Sequence, residues 1–339
     1  MRAFALRSEL ECRQRLPGGV FRFSRATSGA MVIRMNDIAL SAAGATPQRR
    51  WLIPLALLAV YVIWGSTYLG IRIGLTGFPP FAMAALRFLA AGVAMYAWLR
   101  LRGAKPPTAR QWRNAAITGV LLLLFGNGLV CFAEQSVTSG IAAVAIASEP
   151  LFVALVLFAY RERPSRSEIV GLVVGFLGVI VLNSGGAMRA APLAAAALIF
   201  ATAAWAFGSI WSRHQDMPEG PMNVAAQMLC AAPALALTAW LTGERLPAHP
   251  SITSILAVAY LAVFGSIIAF TAYLFLVKHA RPALTASYAY VNPPVAVLLG
   301  ALVAGEHVGT AEIAGMVVIL VGVAIITLAH GRQRKAAAE

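Results

Sequence analysis

Charged residues are scarce in this sequence. They make up 12% of its 339 residues, whereas 60% are apolar and the mean hydropathy is +0.76. A soluble domain averages roughly 25% charged residues, and a chain with so little charge cannot cover a surface that faces water. A soluble fold is therefore excluded, and a protein that lies mostly in lipid is predicted.

The sequence also has few of the side chains that build metal sites and active sites. Its three cysteines have no partner at metal-ligand spacing, and its five histidines fall in loops or at the ends of apolar runs. It has no G-x-x-x-x-G-K loop of the kind that cradles ATP phosphates. We predict no catalytic residues, no metal and no cofactor. An intramembrane enzyme is therefore a remote alternative, and no process driven directly by ATP is expected.

Acidic residues are outnumbered by basic ones. The 27 Lys and Arg against 13 Asp and Glu give a formal net charge of +14. Nucleic-acid binding would need a basic face interleaved with stacking aromatics. Here nine of the basic residues lie in the first 50 positions, and nearly all the others lie between apolar runs. This distribution is typical of membrane topology signals, so no nucleic-acid partner is predicted.

Apolar runs of about 20 residues, the length that spans a bilayer, occur ten times. Short connections separate them, and the alternation of apolar and polar residues that a β-barrel needs is missing. The sequence thus predicts an all-α polytopic membrane protein with ten transmembrane helices. The predicted spans are 52–73, 80–100, 114–134, 139–160, 168–185, 192–212, 221–242, 252–277, 283–304 and 310–329.

The loops predict which ends of the spans face the cytoplasm. Those after the second, fourth, sixth and eighth spans carry eleven Lys and Arg residues, while the alternate loops carry only Arg189 and Arg245. Because Lys and Arg collect in cytoplasmic loops, both termini are predicted to be cytoplasmic.

Residues 1–50 differ from the rest of the chain. They contain scattered arginines but no continuous apolar core of about 7–15 residues, so they do not fit a secretory signal. Glu9, Glu11 and Asp37 also argue against a transit peptide. We interpret this segment as a basic, disordered extension that a misassigned start would explain, and residues 331–339 as a cytoplasmic tail.

The second half of the chain repeats the first. A shift of 144 residues lays the fourth and fifth spans on the ninth and tenth, with Pro150 on Pro294 and eleven identities over the thirty residues 150–179. Because the repeating unit has five spans, an odd number, the second copy enters the membrane from the opposite side. Inverted repeats of this kind are typical of secondary transporters. The predicted repeats are residues 51–185 and 192–330.

Several short motifs follow one another in a characteristic order. They are Trp64-Gly-Ser-Thr-Tyr68, Arg87 within Ala-Leu-Arg-Phe, Ala133-Glu-Gln135 with Ser139-Gly140, Pro150, Gly305-Glu306, and the Glu-Ile-x-Gly starts at 168 and 312. Over residues 51–330 the chain resembles the EamA family of the drug/metabolite transporter superfamily, in its subgroup of bacterial inner-membrane exporters.

This resemblance implies ten helices around a central cavity. It also implies export of small metabolites, such as amino acids or drug-like amphipathic compounds, by alternating access across the inner membrane. An importer or exchanger of the same superfamily is the alternative. We expect a small-molecule substrate and the lipid bilayer as partners, and a homodimer is left open.

Among the ionisable residues of the predicted spans two stand out, because a charge costs roughly 2.5–3.5 kcal/mol at the membrane centre. Glu149 lies near the middle of the fourth span, and Arg87 lies in the outer half of the second. We predict that Glu149 binds a proton or a cation and that Arg87 contacts the substrate. The alternatives for Glu149 are a structural ion pair with Arg87 or Arg72, and a permanently protonated acid.

Helical stripes of aromatic and polar residues indicate further positions that would line a cavity. Trp64, Tyr68 and Arg72 recur every four residues on one face of the first span. Such a face offers rings for apolar bulk and polar groups for orientation, although polar groups also pair between packed helices. The remaining candidates for substrate binding or coupling are Asn127, Trp205, Ser266, Tyr288 and Asn292.

Prolines near the membrane midplane predict hinges. Pro150, Pro293 and Pro294 each remove a backbone donor, which kinks a helix or allows it to bend.

Overall fold

The computed structural model describes residues 47–161, 166–182 and 191–304, and six further positions between 314 and 325. All regular structure in these residues is helical. The helices in the continuous ranges are α1 (Trp51–Gly74), α2 (Pro80–Leu101), α3 (Ala109–Ala133), α4 (Ser139–Ala159), α5 (Arg166–Leu182), α6 (Pro192–Arg213), α7 (Pro221–Leu241), α8 (Ile252–His279) and α9 (Pro282–Val303).

Eight of these helices, all except α5, are long and apolar enough to cross a membrane. In α5 the apolar stretch is shorter than a membrane span and covers Ile169–Gly178. The predicted tenth span, 310–329, falls almost wholly outside the described residues, and its six described positions are helical. The predicted all-helical membrane architecture is therefore confirmed for the described part of the chain, and the count of ten spans stays a prediction.

The two terminal segments lie almost wholly outside the described residues. The chain divides into the units Met1–Arg49 and Arg50–Glu339. Apart from the helix start at Pro47, the predicted extension 1–50 lies outside the described residues, as does the predicted tail 331–339.

Helix starts are set by local capping. The predicted third span begins at 114, but α3 begins at Ala109, because Thr108 and Gln111 form a capping box with hydrogen bonds of 3.2 and 3.1 Å. Because this first turn is polar and precedes the apolar run, a prediction based on hydropathy places the start of the helix too late.

The start of α2 is capped from a distant part of the chain. The carboxylate of Glu244, in the connection between α7 and α8, accepts hydrogen bonds from the backbone amides of Phe81 (3.2 Å) and Ala82 (2.8 Å). A carboxylate at this position also complements the positive end of the helix dipole. Glu244 thus ties the loop after α7 to the beginning of α2.

The C-terminal ends of α2 and α7 are built alike. Gly103 and Gly243 both have positive φ, +83° and +73°, which glycine adopts without strain. The residue after each glycine donates to a carbonyl five residues earlier, at 3.0 Å in the first case and 2.9 Å in the second. The two helices therefore end in the same motif.

The helices of the two halves interleave rather than forming two separate bundles. Helix α1 packs on α8 and α9, and α6 packs on α3 and α4. Helix α2 packs along α7, α4 contacts α9, and the pairs α2–α8 and α3–α7 also touch. The same helix pairs result when α1, α2, α3 and α4 are exchanged with α6, α7, α8 and α9, respectively.

The helices that surround the centre are irregular there. Helix α4 is interrupted by a turn at Ala147–Ser148, just before Pro150, whose missing amide hydrogen and bulky ring disfavour a continuous helix. In α9 the turn lies at Ser287, and the helix continues through Pro293 and Pro294. The irregularity of α9 thus lies six residues before the prolines, and the hinge role of all three prolines stays a prediction.

Among the described residues three stretches wind as π-helix, a form common at functional sites. They are Val60–Trp64 in α1, Val120–Gly128 in α3 and Leu261–Ala269 in α8. Each contains residues that line a cavity at the centre of the helices.

Candidate functional site

A central cavity with a free volume of about 60 Å³ lies between seven of the helices. Aromatic and aliphatic side chains line most of it, and polar groups enter at a few points. Eight of the ten residues predicted to bind substrate or couple transport line its wall: Trp64, Tyr68, Arg87, Asn127, Glu149, Trp205, Tyr288 and Asn292.

Arg87 brings a positive charge to the cavity from α2. Its side chain is 3% exposed, and its guanidinium carbon lies 4.4 Å from the centre of the Phe88 ring. Nε donates a 3.2 Å hydrogen bond to the hydroxyl of Ser266 on α8. Nη1 is buried and has no hydrogen-bond partner among the described residues. Ser266 therefore positions Arg87 and leaves one donor nitrogen to be satisfied.

Glu149 brings a carboxyl group to the cavity from α4. It is the first residue of the helical segment that follows the turn at Ala147–Ser148, and its side chain is 1% exposed. The Tyr288 hydroxyl hydrogen-bonds to its carboxyl group. Its Oε2 is buried and has no partner in the described part of the chain. The break in α4 thus places a carboxyl group at the start of a half-helix, facing the cavity.

Arg87 and Arg72, the two arginines considered as ion-pair partners of Glu149, make their described hydrogen bonds with other residues. Arg87 bonds to Ser266, whereas Nη1 of Arg72 donates to the backbone carbonyls of Glu134 (3.0 Å) and Val137 (3.1 Å). Arg72 does not line the cavity, and it instead ties α1 to the connection between α3 and α4. The structural ion pair considered from the sequence is not among these contacts.

Two asparagines add uncharged polar groups to the wall. The Asn127 side-chain carbonyl accepts a weak hydrogen bond from the Cys131 thiol at 3.7 Å. Asn292 is 1% exposed, and its Oδ1 is buried with no partner within the described residues. Like Arg87 and Glu149, Asn292 retains unused hydrogen-bonding capacity beside the cavity.

An aromatic cluster of Trp64, Trp205, Tyr273 and Tyr288 closes one side of the cavity. The Trp64 ring centre lies 5.4, 4.9 and 5.0 Å from those of Trp205, Tyr273 and Tyr288. Trp64 Nε1 donates to the Gly265 carbonyl at 3.1 Å, which fixes the indole of α1 against α8. The rings are in direct contact, so the cluster is packed and leaves no open cage.

A second, smaller cavity of about 10 Å³ lies on the other side of this cluster. Tyr273 and Glu149 line it, together with Ser209, Arg213 and Thr285. Its volume suffices for about one water molecule. Glu149 lines both cavities, so one carboxyl group borders the two compartments that the aromatic cluster separates.

Further residues of the site lie on the same helical faces as these candidates. Tyr273 and Ser209 complete the cluster through side-chain hydrogen bonds. The sequence places Ser209 on a polar and aromatic stripe with Trp205, and Phe270 and Tyr273 on another with Ser266. Thr202 and Phe88 also line the central cavity but were not sequence-based candidates, and in so apolar a chain nothing in the sequence distinguishes Phe88 from a packing residue.

The described residues contain no group of three His, Cys, Asp or Glu side chains that could hold a metal ion. The side chains that line the site can bind a solute reversibly through charge, hydrogen bonds and aromatic contact.

Comparisons with known proteins show that the chain is similar to membrane transporters. The EamA-like transporter family matches residues 51–184 and 192–328. The chain is 47% identical over 282 residues to the "Uncharacterized inner membrane transporter YedA" of Escherichia coli K12, across 82% of this chain and 92% of that protein. It is 27% identical over 294 residues to a "Probable amino-acid metabolite efflux pump" of Salmonella typhimurium, across 80% and 93% of the two chains.

A solved crystal structure also superimposes on this chain. The TM-score is 0.66 with 22% sequence identity, over 82% of this chain and 98% of the other. At this identity the comparison demonstrates a shared fold.

Proposed function

The chain belongs to the EamA-like transporter family, and on that premise we propose that it is a secondary transporter that exports small metabolites across the inner membrane by alternating access. Membership of a family of transporters agrees with the sequence-based expectation that the protein is not an enzyme. The substrate site in this proposal is the central cavity, and the substrate class is amino acids or similar amphipathic compounds.

The observation that carries the proposal is a guanidinium group and a carboxyl group at one cavity, each with a buried atom that lacks a hydrogen-bond partner among the described residues. Arg87 Nη1 and Glu149 Oε2 are both buried without a partner among the described residues, and both side chains line the central cavity. Leaving a buried polar atom unpaired costs about 1–3 kcal/mol, and more if the group is charged. A bound solute with an anionic and a cationic group would supply a hydrogen-bond partner to each atom and so remove both free-energy costs.

A zwitterion has this pair of groups. In the proposed binding mode its carboxylate meets Arg87 and its ammonium group meets Glu149, while the rings of Trp64 and Trp205 contact its apolar part. The relative named as an amino-acid metabolite efflux pump supports this substrate class for the present chain.

The two cavities support alternating access. The central cavity has room for a few water molecules, so a metabolite fits only when the helices around it move apart. The aromatic cluster separates it from the second cavity, and Glu149 borders both. We infer that the cluster opens and closes during transport, and that Glu149 exchanges a proton or cation as it faces one side and then the other.

The proposed architecture is ten helices in two inverted repeats, 51–185 and 192–330, with both termini in the cytoplasm. Three matched features support it: the packing scheme that survives exchange of the halves, the paired ends of α2 and α7, and the π-helical stretches of α3 and α8. Ser266 and Asn127 lie in or beside corresponding π-helical stretches, so the two repeats would contribute matching positions to one site.

Metabolite profiling tests the export function. Culture medium from a strain that overproduces the protein should be enriched in one or more zwitterionic metabolites relative to a deletion strain. The same compound should then be taken up by inside-out vesicles, whereas an importer would enrich it in the cells instead. Export of no compound under either condition would contradict the proposal.

Arg87→Gln provides the residue-level test of the same proposal. Losing a charged hydrogen bond of about 1.5–3 kcal/mol should raise the half-saturating substrate concentration about tenfold to hundredfold. Arg102→Gln is the matched control, because Arg102 is exposed at the end of the same helix. An equal loss of substrate affinity in both variants would show that Arg87 does not bind the substrate.

A further inference from the structure

A third cavity, the basic groove, lies at one end of the helix bundle. It is bounded by the last turns of α6 and α8 and the first turn of α7, and its free volume is about 440 Å³. None of its lining residues lines the central cavity. The residues that matter for its chemistry are the basic Arg213, Lys278 and His279 and the uncharged Thr271, Leu274 and Phe275.

The described residues that line the groove are basic or uncharged, with no acidic side chain among them. Lys278 is exposed and makes no hydrogen bond or ion pair within the described residues. Arg213 donates to the Ala280 carbonyl at 3.4 Å, which holds it at the wall of the groove. The nearby Asp216 is directed elsewhere, since it accepts a 3.1 Å hydrogen bond from Gln111 at the start of α3. The groove therefore favours an anion.

The other part of the wall is apolar. Leu274 and Phe275 face the groove from the last turns of α8, and the His279 ring stacks on Phe275 with ring centres 4.4 Å apart. The groove lies where spans end, at the depth of lipid headgroups in a bilayer. A soluble anion would fill the basic part and leave the apolar part in contact with water, whereas a phospholipid has a group for each part.

We propose that the basic groove binds the headgroup of an anionic phospholipid. The phosphate lies against Lys278 and Arg213, and the glycerol and the first methylene groups cover Leu274 and Phe275. Basic pockets between transmembrane helices bind anionic headgroups in this way, and each Lys or Arg near the membrane surface contributes about 1 kcal/mol.

The groove also adjoins the transport path. Arg213 and Val277 line both the groove and the second cavity, which Glu149 borders. A headgroup on Arg213 therefore contacts the wall of the compartment into which Glu149 faces. The bound lipid is thus placed to affect opening of that compartment.

Native mass spectrometry of the full-length protein from detergent tests the proposal. The protein is equilibrated with phosphatidylglycerol and, separately, with phosphatidylcholine, and the retained lipid is counted. Wild-type protein should retain phosphatidylglycerol in preference to phosphatidylcholine. Lys278→Gln should weaken retention about fivefold, the factor expected for one lost cationic contact.

Two further variants distinguish lipid binding in the groove from a general effect of surface charge. Thr271→Phe fills the apolar part without changing any charge and should abolish retention, which keeps the test valid if Lys278→Gln is poorly folded. Lys105→Gln removes an exposed lysine of another loop and should behave as wild type. Equal loss in Lys105→Gln and Lys278→Gln would overturn the proposal.

Inorganic phosphate distinguishes the lipid from a soluble anion. Phosphate should raise the thermal midpoint little, whereas phosphatidylglycerol should raise it in wild type but not in Thr271→Phe. If phosphate stabilises the protein and displaces the lipid at similar concentrations, the groove is a site for a soluble anion and the lipid proposal is wrong.

Discussion

The indole of Trp205 on α6 donates a 2.8 Å hydrogen bond to the hydroxyl of Tyr273 on α8. The same hydroxyl shares a 2.6 Å hydrogen bond with Ser209, one turn after Trp205. Trp205 lines the central cavity and Tyr273 lines the second one. This contact therefore joins the walls of the two compartments, and it is the natural place to test how the compartments are kept apart.

We expect Tyr273→Phe to uncouple transport while preserving the fold. The ring and its contacts remain, and two hydrogen bonds worth about 0.5–1.5 kcal/mol each are lost. Concentrative export in proteoliposomes should fall, and downhill exchange of substrate should persist or rise because the aromatic cluster closes less tightly. Tyr260→Phe is the matched control, since it removes the 2.6 Å contact with Ser66 away from both cavities. Equal effects of the two variants would contradict a separating role for Tyr273.

Glu149→Gln should abolish concentrative, pH-dependent transport and leave downhill exchange measurable. The amide keeps the size of the side chain and its contact with Tyr288 but cannot carry a charge. Flux at a series of external pH values should vary for wild type and be flat for the variant. Glu219→Gln, at an exposed position of the loop before α7, is the matched control. Unchanged pH-dependent flux in Glu149→Gln would refute the coupling role.

The combination of Glu149→Gln with Arg87→Gln tests the alternative of a structural ion pair. Breaking a buried pair from one side costs about 3–5 kcal/mol, and removal of the second partner recovers stability. Because Arg87 bonds to Ser266, we expect Glu149→Gln alone to retain its thermal midpoint in detergent. A large loss in the single variant that the double variant reverses would establish the pair instead.

Gly126→Ala should displace Trp205 and impair transport. A Cβ at Gly126 would lie 2.5 Å from an atom of the Trp205 ring, and such overpacking costs about 1–3 kcal/mol. Gly140→Ala is the matched control, because its nearest neighbour would be a Val297 methyl group at 3.3 Å. Substrate flux and thermal midpoint should fall in the first variant only, and similar behaviour of both would show that Trp205 moves aside freely.

Glu244→Gln should destabilise the protein through the start of α2. The uncharged side chain can accept only one of the two amide hydrogen bonds and loses its interaction with the helix dipole, together about 0.5–2 kcal/mol. The thermal midpoint should decrease, and Glu219→Gln should leave it unchanged. An unaffected midpoint for Glu244→Gln would mean that α2 does not depend on this cap.

Much of the fold follows from the sequence alone. In lipid every backbone polar group must be satisfied within its own segment, so an apolar run of about 20 residues has to be a helix wherever it packs. This local rule identified the spans that are described, and only polar turns such as Thr108–Gln111 moved their limits. The order of short motifs was likewise enough to recognise the family.

The site depended on tertiary structure. The sequence placed Arg87 and Glu149 within spans but did not show that both face one cavity, that Ser266 holds Arg87, or that Arg72 points away to the carbonyls of Glu134 and Val137. Nor did it connect Trp205 with Tyr273, 68 residues later. Which face of a helix meets which neighbour is decided by packing between helices far apart in the chain. In a helix that is apolar on all sides, no periodicity reveals that face.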